Sequence, residues 1–322
     1  MQTGKLPDSV LNKLIIEPIT ENSVERKEVL LKPSVGEDCA AVNFGDNICI
    51  ASTDPITGAV KDIGKLAVHI NTNDIAAGGG EPVGILVTTL LPTDITYEDI
   101  KKITEDIYTE AKKLNIVVLG GHTEVTDAVK KPIISCTVLG KTKKIISSSG
   151  AKAGDSVIIT KYAALEGSCI LAKERDIPLS PSEKEDIENM SEMLSVVKEG
   201  SIASKLGVHA MHDITEGGVL GACWEVATCS NTGIYIDADT IPLLPVTKKI
   251  CDHLGADPLK LISSGSMLMA SDKGKELVKE LEKNGIKATI IGKFTEDTKK
   301  IYKYQNKEYP LEEPGSDELY RV

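Results

Sequence analysis

A chain of 322 residues is long enough for two domains of ordinary size. Its formal charge of −11 opposes nonspecific adhesion to nucleic acid or anionic lipid, because phosphates are repelled on average. With 41% hydrophobic, 26% charged and only 3% aromatic residues, the composition is that of a globular protein whose core is made of Ile, Leu, Val and Ala. The start through Asn12 has no long apolar run, and Gly84 to Leu91 is too short to span a bilayer, so no membrane partner and a cytoplasmic location are expected. Seven cysteines, Cys39, Cys49, Cys136, Cys169, Cys223, Cys229 and Cys251, are an odd number without a Cys-x-x-Cys pair. That pattern fits reduced thiols better than disulfides or zinc. Cys39 and Cys223 sit among small apolar residues, where cysteine is most often core.

In chain order, the first feature past the polar start is Gly36-Glu37-Asp38-Cys39-Ala40-Ala41-Val42, an acid among small residues. Ile48 to Ser52 reads as a buried strand, ending at Thr53-Asp54-Pro55, which puts Asp54 at a strand's C-terminal edge. Leu66, Ala67, Ile70, Asn73 and Ala77 recur at helical spacing and place Asn71, Asn73 and Asp74 near a helix end. Gly78, Gly79 and Gly80 stop that helix. They either present backbone N–H groups to a polyphosphate or form an ordinary cap and turn. Asp38, Asp54 and Asp74 arrive on three separate elements, and if they converge they make a site for a hard cation such as Mg2+. Val83 to Leu91 is another strand pattern, followed by a helix capped by Thr96 and running to Leu114. A short buried strand, Ile116 to Leu119, then runs into the tight turn Gly120-Gly121-His122-Thr123-Glu124. His122 there is a phosphate contact or a turn residue, and Pro132 to Gly140 closes the first half as a strand.

Lys141 to Gly154, rich in Lys, Ser and Gly, has the composition of a connection, dividing the chain into residues 1–147 and 148–322. Val157 to Thr160 begins a new strand, and helical patterns from Ala163 to Lys198 are broken by Pro178 and Pro181. His212-Asp213-Ile214-Thr215-Glu216-Gly217-Gly218 then feeds an apolar helix carrying Leu220, Trp224 and Val226. Its N-terminus favours anions, or Asp213 or Thr215 simply caps it. Ser263 to Ser266 is a small-residue turn before a strand at Met267 to Ala270, and a helix near Glu276 to Asn284 and a strand near Ala288 to Gly292 follow. Strands such as Ile48 to Ser52 and Val83 to Leu91 are apolar at consecutive positions, so both faces need cover and a homodimer is expected.

In order and spacing, Gly36 to Val42, Ser52-Thr53-Asp54, Asn73-Asp74-Ile75 with Gly78 to Pro82, Gly120 to Thr123, His212 to Gly218 and Ser264-Gly265 resemble the PurM-like, aminoimidazole ribonucleotide synthase-related superfamily. The likeness covers nearly the full length, and Gly64 to Ala67 and Leu259 to Ala270 draw it toward the HypE hydrogenase-maturation group. The resemblance implies an α/β (α+β) fold of two domains: an N-terminal sheet domain that dimerises by its strands, and a C-terminal α/β domain covering the site. It also implies ATP and Mg2+. Asp38, Asp54 and Asp74 match acids holding the metal and phosphates, Asp213 matches an acid from the second domain, and Gly78 to Gly80 match phosphate-side glycines. By the same likeness Asn73, Gly120, Gly121, Thr123, Gly217 and Gly218 belong to the nucleotide site, with Asp54, Asp74, His122 and Asp213 at the chemistry. Two positions depart from the pattern: His122 stands where HypE proteins and thiamine monophosphate kinases have an acid, and Glu216 replaces an Arg or Asp.

The function expected from this is phosphoryl transfer from ATP to an amide-type oxygen or to another small acceptor, governed by positioning and electrostatics. The alternative is a nucleotide-binding or maturation scaffold that kept the fold without turnover. The acceptor is unassigned, and a maturation partner protein is a further expectation of the HypE likeness. HypE tails end in a cysteine that accepts a carbamoyl group, whereas this sequence ends Glu318-Leu319-Tyr320-Arg321-Val322, so an external acceptor or binding without transfer is expected.

Overall fold

The computed structural model describes residues 34–37, 39–57 and 61–322, the strand at 29–31, and the isolated positions 9, 12, 16 and 17. Asp38 lies outside the described residues. The first half forms β1 (Val29–Leu31), β2 (Ala40–Asn43), β3 (Ile48–Ile56), α1 (Ile63–Ala77), β4 (Glu81–Leu91), α2 (Tyr97–Lys113), β5 (Val117–Val125) and β6 (Ile133–Thr142). Its sheet runs β1-β2-β3-β6-β4-β5, with every neighbouring pair antiparallel except β4 and β5. That exception follows from the crossover through α2, since parallel neighbours need a long connection. α2 starts where Thr96 and Asp99 cap each other reciprocally, and it buries Ile103, Ile107 and Ala111.

The second half forms β7 (Ser156–Thr160), α3 (Leu165–Glu174), α4 (Pro181–Ser191), α5 (Val197–Leu206), β8 (Ala210–Asp213), α6 (Gly218–Cys229) and β9 (Gly233–Asp237). It continues with α7 (Pro245–Leu254), β10 (Met267–Ser271), α8 (Gly274–Lys283), β11 (Ala288–Thr295), β12 (Lys300–Tyr304) and β13 (Lys307–Pro310). The order β13-β12-β9-β11-β7-β10-β8 makes a second sheet that shares no strand with the first. β10 is buried at every position and β7 at all but its first, as expected of inner strands covered on both faces, and β8 at the sheet's end is buried at every position as well. No helix among the described residues is long and apolar enough to cross a membrane.

α1 joins the halves. It packs on β3, β4 and β6 of the first sheet and on α5 and β8 of the second, so all but one of its residues are buried. Lys65 on α1 reaches Glu192 beyond α4 at 2.5 Å, and Lys173 on α3 pairs with Asp62 at the head of α1. A helix enclosed on all sides must satisfy each polar side chain inside the protein.

Two elements differ from the sequence expectation. Asp54 lies within β3 and pairs with Cys136, because β3 continues through Pro55 to Ile56 along β6. Gly120 and Gly121 form no turn. They lie inside β5, where the register against β4 shifts between Ile85 and Leu86. The shift is a bulge with Leu119 as its one extra residue, followed directly by two glycines with positive φ. A Cβ on Gly121 would come within 1.8 Å of the Val87 carbonyl oxygen, so glycine is required for β5 to approach β4. β5 is also exposed along its whole length rather than buried.

Candidate active site

The site is a cleft where the C-terminal part of β3 and α1 at Ile70 meet the loops of the second half. On the first side, the Asp54 backbone N–H donates to Asn71 Oδ1 at 2.7 Å, and Asn71 Nδ2 donates back to the Asp54 carbonyl at 3.3 Å. This exchange fixes the strand at the acid and leaves the Asp54 side chain on the cleft wall. One turn further along α1, Asp74 is 5% exposed and accepts a hydrogen bond from the Ser52 hydroxyl, while the Cys39 thiol donates to its carbonyl at 3.0 Å. Ser52 and Asp54 are two apart on one strand, so both point to the face that α1 covers. Asp213 ends β8, is buried, and pairs in register with Met267.

The opposite wall comes from α3, the loop after β8, the loop before β10 and the chain's last residues. Glu166, Thr215, Glu216, Ser264 and Tyr320 line a cavity of about 100 Å3 together with Asp54 and Thr57. Tyr320 donates its hydroxyl to Glu216 Oε1 at 2.9 Å, and the Arg175 guanidinium donates to the Val322 carbonyl at 2.7 Å. Asp317 anchors this tail: its carboxylate accepts from the backbone N–H groups of Gly217 at 2.7 Å, Leu319 at 2.8 Å and Ile262 at 3.2 Å. Burial pushes the Asp317 carboxyl up to about 6 despite those three donors.

Several residues expected at a nucleotide are used otherwise. The N–H groups of Gly78, Gly79 and Gly80 donate to the carbonyls of Asp74, Ala76 and Ile75 at 2.9, 3.0 and 2.8 Å, so they close the C-terminus of α1 and face no anion. A Cβ on Gly80 would fall 2.1 Å from Ile50 Cδ1, which makes this glycine a packing requirement. Asn73 is fully buried, and its amide bridges the halves, donating to the Leu194 carbonyl at 2.8 Å and accepting from Val196 N–H at 2.9 Å. The N-terminus of α6 does attract an anion, but that anion is Asp317, which takes the Gly217 N–H, while Gly218 donates to Thr215 at 3.1 Å. Gly120, Gly121, His122 and Thr123 lie on edge strand β5, separated from Asp54 on β3 by β6 and β4. At about 4.8 Å per strand that is about 14 Å, too far to share one chain's cleft. His122 is exposed and stands 3.6 Å from Glu124.

Asp54, Asp74 and Asp213 are the hard oxygen donors that Mg2+ takes. Among the described residues no three Asp, Glu, His or Cys side chains are placed to hold a metal ion, so Asp54, Asp74 and Asp213 do not form such a group among themselves, while the convergence expected of Asp38, Asp54 and Asp74 includes a residue outside the described ones. The cause is depth: Asp74 and Asp213 are buried beneath the wall on which Asp54 is exposed. Mg2+ bound to a nucleotide needs only one or two carboxylates beside the phosphates, and Asp54 meets that smaller demand. Four of the thiols are held in their unreactive, protonated form, since burial pushes Cys136, Cys169 and Cys251 up to about 12 and Cys223 higher still.

Sequence reasoning passed over Glu166, Asp317 and Tyr320 as parts of the cleft. The signal for Glu166 was available, as a lone acid inside Ala163-Ala164-Leu165-Glu166-Gly167-Ser168-Cys169-Ile170-Leu171. Asp317 and Tyr320 gave none, because only the folded tail brings them to Gly217 and Glu216.

Residues 36–142 match the family model for the AIR synthase related protein N-terminal domain, and residues 152–305 that for its C-terminal domain. A Methanocaldococcus jannaschii protein assigned to hydrogenase expression/formation is 31% identical over 279 residues, covering 82% of this chain and 81% of that protein. Carbamoyl dehydratase HypE of Cupriavidus necator is 25% identical over 261 residues, covering 76% and 71%. Among solved structures, a HypE–HypF complex superposes with a TM-score of 0.76 at 21% identity, covering 94% of this chain and all of that one. HypE in complex with ATP gives a TM-score of 0.74 at 18% identity, covering 99% and 98%. These structures establish a PurM-like two-domain α/β fold.

Proposed function

This chain belongs to the AIR synthase related family, and from that premise we propose that it is an ATP- and Mg2+-dependent phosphoryl-transfer enzyme that activates an amide-type oxygen or phosphorylates a small acceptor. The observation that carries the proposal is the cleft itself, in which exposed Asp54, fixed through Asn71, faces Thr215, Glu216 and Ser264 across a small cavity. The kinship with carbamoyl dehydratase and the likeness to a HypE structure holding ATP support a nucleotide there. Asp54 would hold Mg2+ alongside the phosphates, and the ion would neutralise phosphate charge. The chain's own work is positional: α1 sets the height of Asp54, and the second half brings the acceptor wall within reach of it. The HypE–HypF complex supports a maturation protein as a macromolecular partner.

Calorimetric titration with Mg·ATP tests the proposal. Asp54→Asn removes negative charge while keeping shape, and it should weaken binding about tenfold or more with little change in unfolding. Parent-like affinity in that variant would sink the assignment of the cleft. The tail docked through Tyr320 and Glu216 favours one second reading, a maturation scaffold that holds nucleotide without turnover. ATP hydrolysis across amide, carbamoyl and phosphate acceptors separates the two, since a scaffold responds to none.

A further inference from the structure

The residue that follows β7 is a lysine with a left-handed backbone, φ 54°, a conformation that strains any side chain and persists only where the surroundings hold it. The Lys161 side chain is 13% exposed, and its ammonium stands among four oxygens. The carbonyls of Met193 at 2.8 Å, Ser195 at 2.6 Å and Gly265 at 2.6 Å accept from it, and Glu199 Oε1 on α5 lies 2.7 Å away as its counter-ion. Three carbonyls use the three N–H bonds of an ammonium, whereas a neutral amine has only two and would turn its lone pair toward an oxygen. The cage is built for a cation. Burial lowers the Lys161 ammonium from its ordinary value and Glu199 pulls the other way, while the carbonyls offset the cost of a charge at that depth.

The three carbonyls come from two segments that face different parts of the molecule. Met193 and Ser195 lie on the strap between α4 and α5, which Asn73 of α1 holds from the first half through the Leu194 carbonyl and the Val196 N–H. Gly265 belongs to the turn Ser263 to Ser266, whose Ser264 lines the cleft with Asp54. A Cβ on Gly265 would come within 2.8 Å of the Met193 carbonyl oxygen, so turn and strap are pressed together where the ammonium joins them. Carbonyl oxygens that meet repel, and a cation between them makes the contact attractive. The side chains of Ser263 and Ser266 tie the turn elsewhere, to the Ala164 N–H at 2.8 Å and the Tyr162 carbonyl at 2.6 Å, both in the loop between β7 and α3. Lys161 adds the link to the strap, and from there through Asn73 to α1, which fixes Asp54 through Asn71. We propose that Lys161 is a positioning residue, a tethered cation that sets the distance between Ser264 and Asp54 across the cleft. What that distance serves rests on the phosphoryl-transfer reading.

Lys161→Gly removes the side chain and suits the left-handed backbone, and butylammonium, which is that side chain as a free molecule, can refill the cage. Butanol has the same stem without the charge. In the variant, hydrogen exchange followed by mass spectrometry should quicken about tenfold or more over Met193 to Val196 and Ser263 to Met267, while α2 exchanges as in the parent. Mg·ATP affinity measured by calorimetry should fall about tenfold, and butylammonium but not butanol should restore both. Should Lys161→Gly fail to fold, Lys161→Met combined with Glu199→Gln keeps the stem and leaves no charge unpaired, and it should show both losses without rescue. Parent-like exchange and affinity, or restoration by butanol as complete as by butylammonium, overturns the proposal. Quickened exchange with parent-like Mg·ATP affinity overturns it too, since the bridge would then serve the fold alone. A parent that binds no Mg·ATP sinks the phosphoryl-transfer reading instead, and local exchange with its rescue by butylammonium then decides whether the clasp stands.

Discussion

Glu110 and Glu166 are both buried glutamates, yet their carboxyls move in opposite directions. At Glu110 burial pushes upward, but His69 at 2.9 Å and Lys113 at 2.9 Å outweigh it and hold the carboxyl down to about 2. That pairing stabilises the fold above the ordinary glutamate range and is lost as pH falls toward 2. Glu166 lacks a cation, so burial raises it from 4.5 to about 7. Between those two values the folded state keeps a proton that the unfolded chain releases, so stability falls as pH rises through this window and is level above it. At 1.36 kcal/mol per unit the cost above the window is about 3 kcal/mol. Glu166→Gln, with no proton to lose, should therefore be more stable than the parent by up to about 3 kcal/mol at pH 8, and the gain should vanish near pH 4.5. Urea unfolding at the two pH values measures this. A difference independent of pH would mean that Glu166 is not the buried charge described.

α1 shows what an element can disclose before its neighbours are known. The apolar spacing from Leu66 to Ala77 sufficed to place a helix with its polar residues near the end, and Ile63–Ala77 is that helix. Where Asn73 points was not legible, since its partners Leu194 and Val196 lie more than a hundred residues away and only the assembled halves bring them together. Asn73→Ala leaves a buried carbonyl and a buried N–H unsatisfied, which should cost about 3 kcal/mol and make the joint between the halves more open to proteolysis. A stability within ~0.5 kcal/mol of the parent would show that the bridge carries nothing. The same limit explains β5: Ile116 to Leu119 reads as a buried strand ending in a glycine turn, because Gly120 and Gly121 read locally as punctuation. Their bulge is defined only against β4. Thr96 to Leu114 was legible at both ends because its capping box is local, whereas β9, α7 and the β12–β13 hairpin lacked a strong local signal.

For the molecule as a whole, β5 is the feature that one chain leaves incomplete. Among the described strands it is an edge of the first sheet, and Val117, Val118, Leu119 and Val125 are 61%, 42%, 52% and 55% exposed. Val83 and Leu86 on β4 extend the same apolar surface. An edge strand with apolar side chains on both faces and unpaired backbone groups is an association site unless charge or a bulge protects it. Here the bulge falls at Leu119, leaving Val117 and Val118 in regular strand. A homodimer joined across β5 is therefore predicted, with sedimentation equilibrium at micromolar concentration as the measurement. Val118→Lys with Leu119→Lys should give monomers, since charge on an edge strand opposes pairing and these exposed positions contribute little to the fold of one chain. A monomeric parent would count against the dimer. The same variant decides what His122 does. Its strand is about 14 Å from Asp54 within one chain, so His122 can serve a nucleotide only if a second copy presents it. Loss of Mg·ATP affinity on dissociation, reproduced by His122→Ala in the intact dimer, would place it at the phosphates of the partner's cleft. Unchanged affinity in both would leave it as an exposed strand residue beside Glu124.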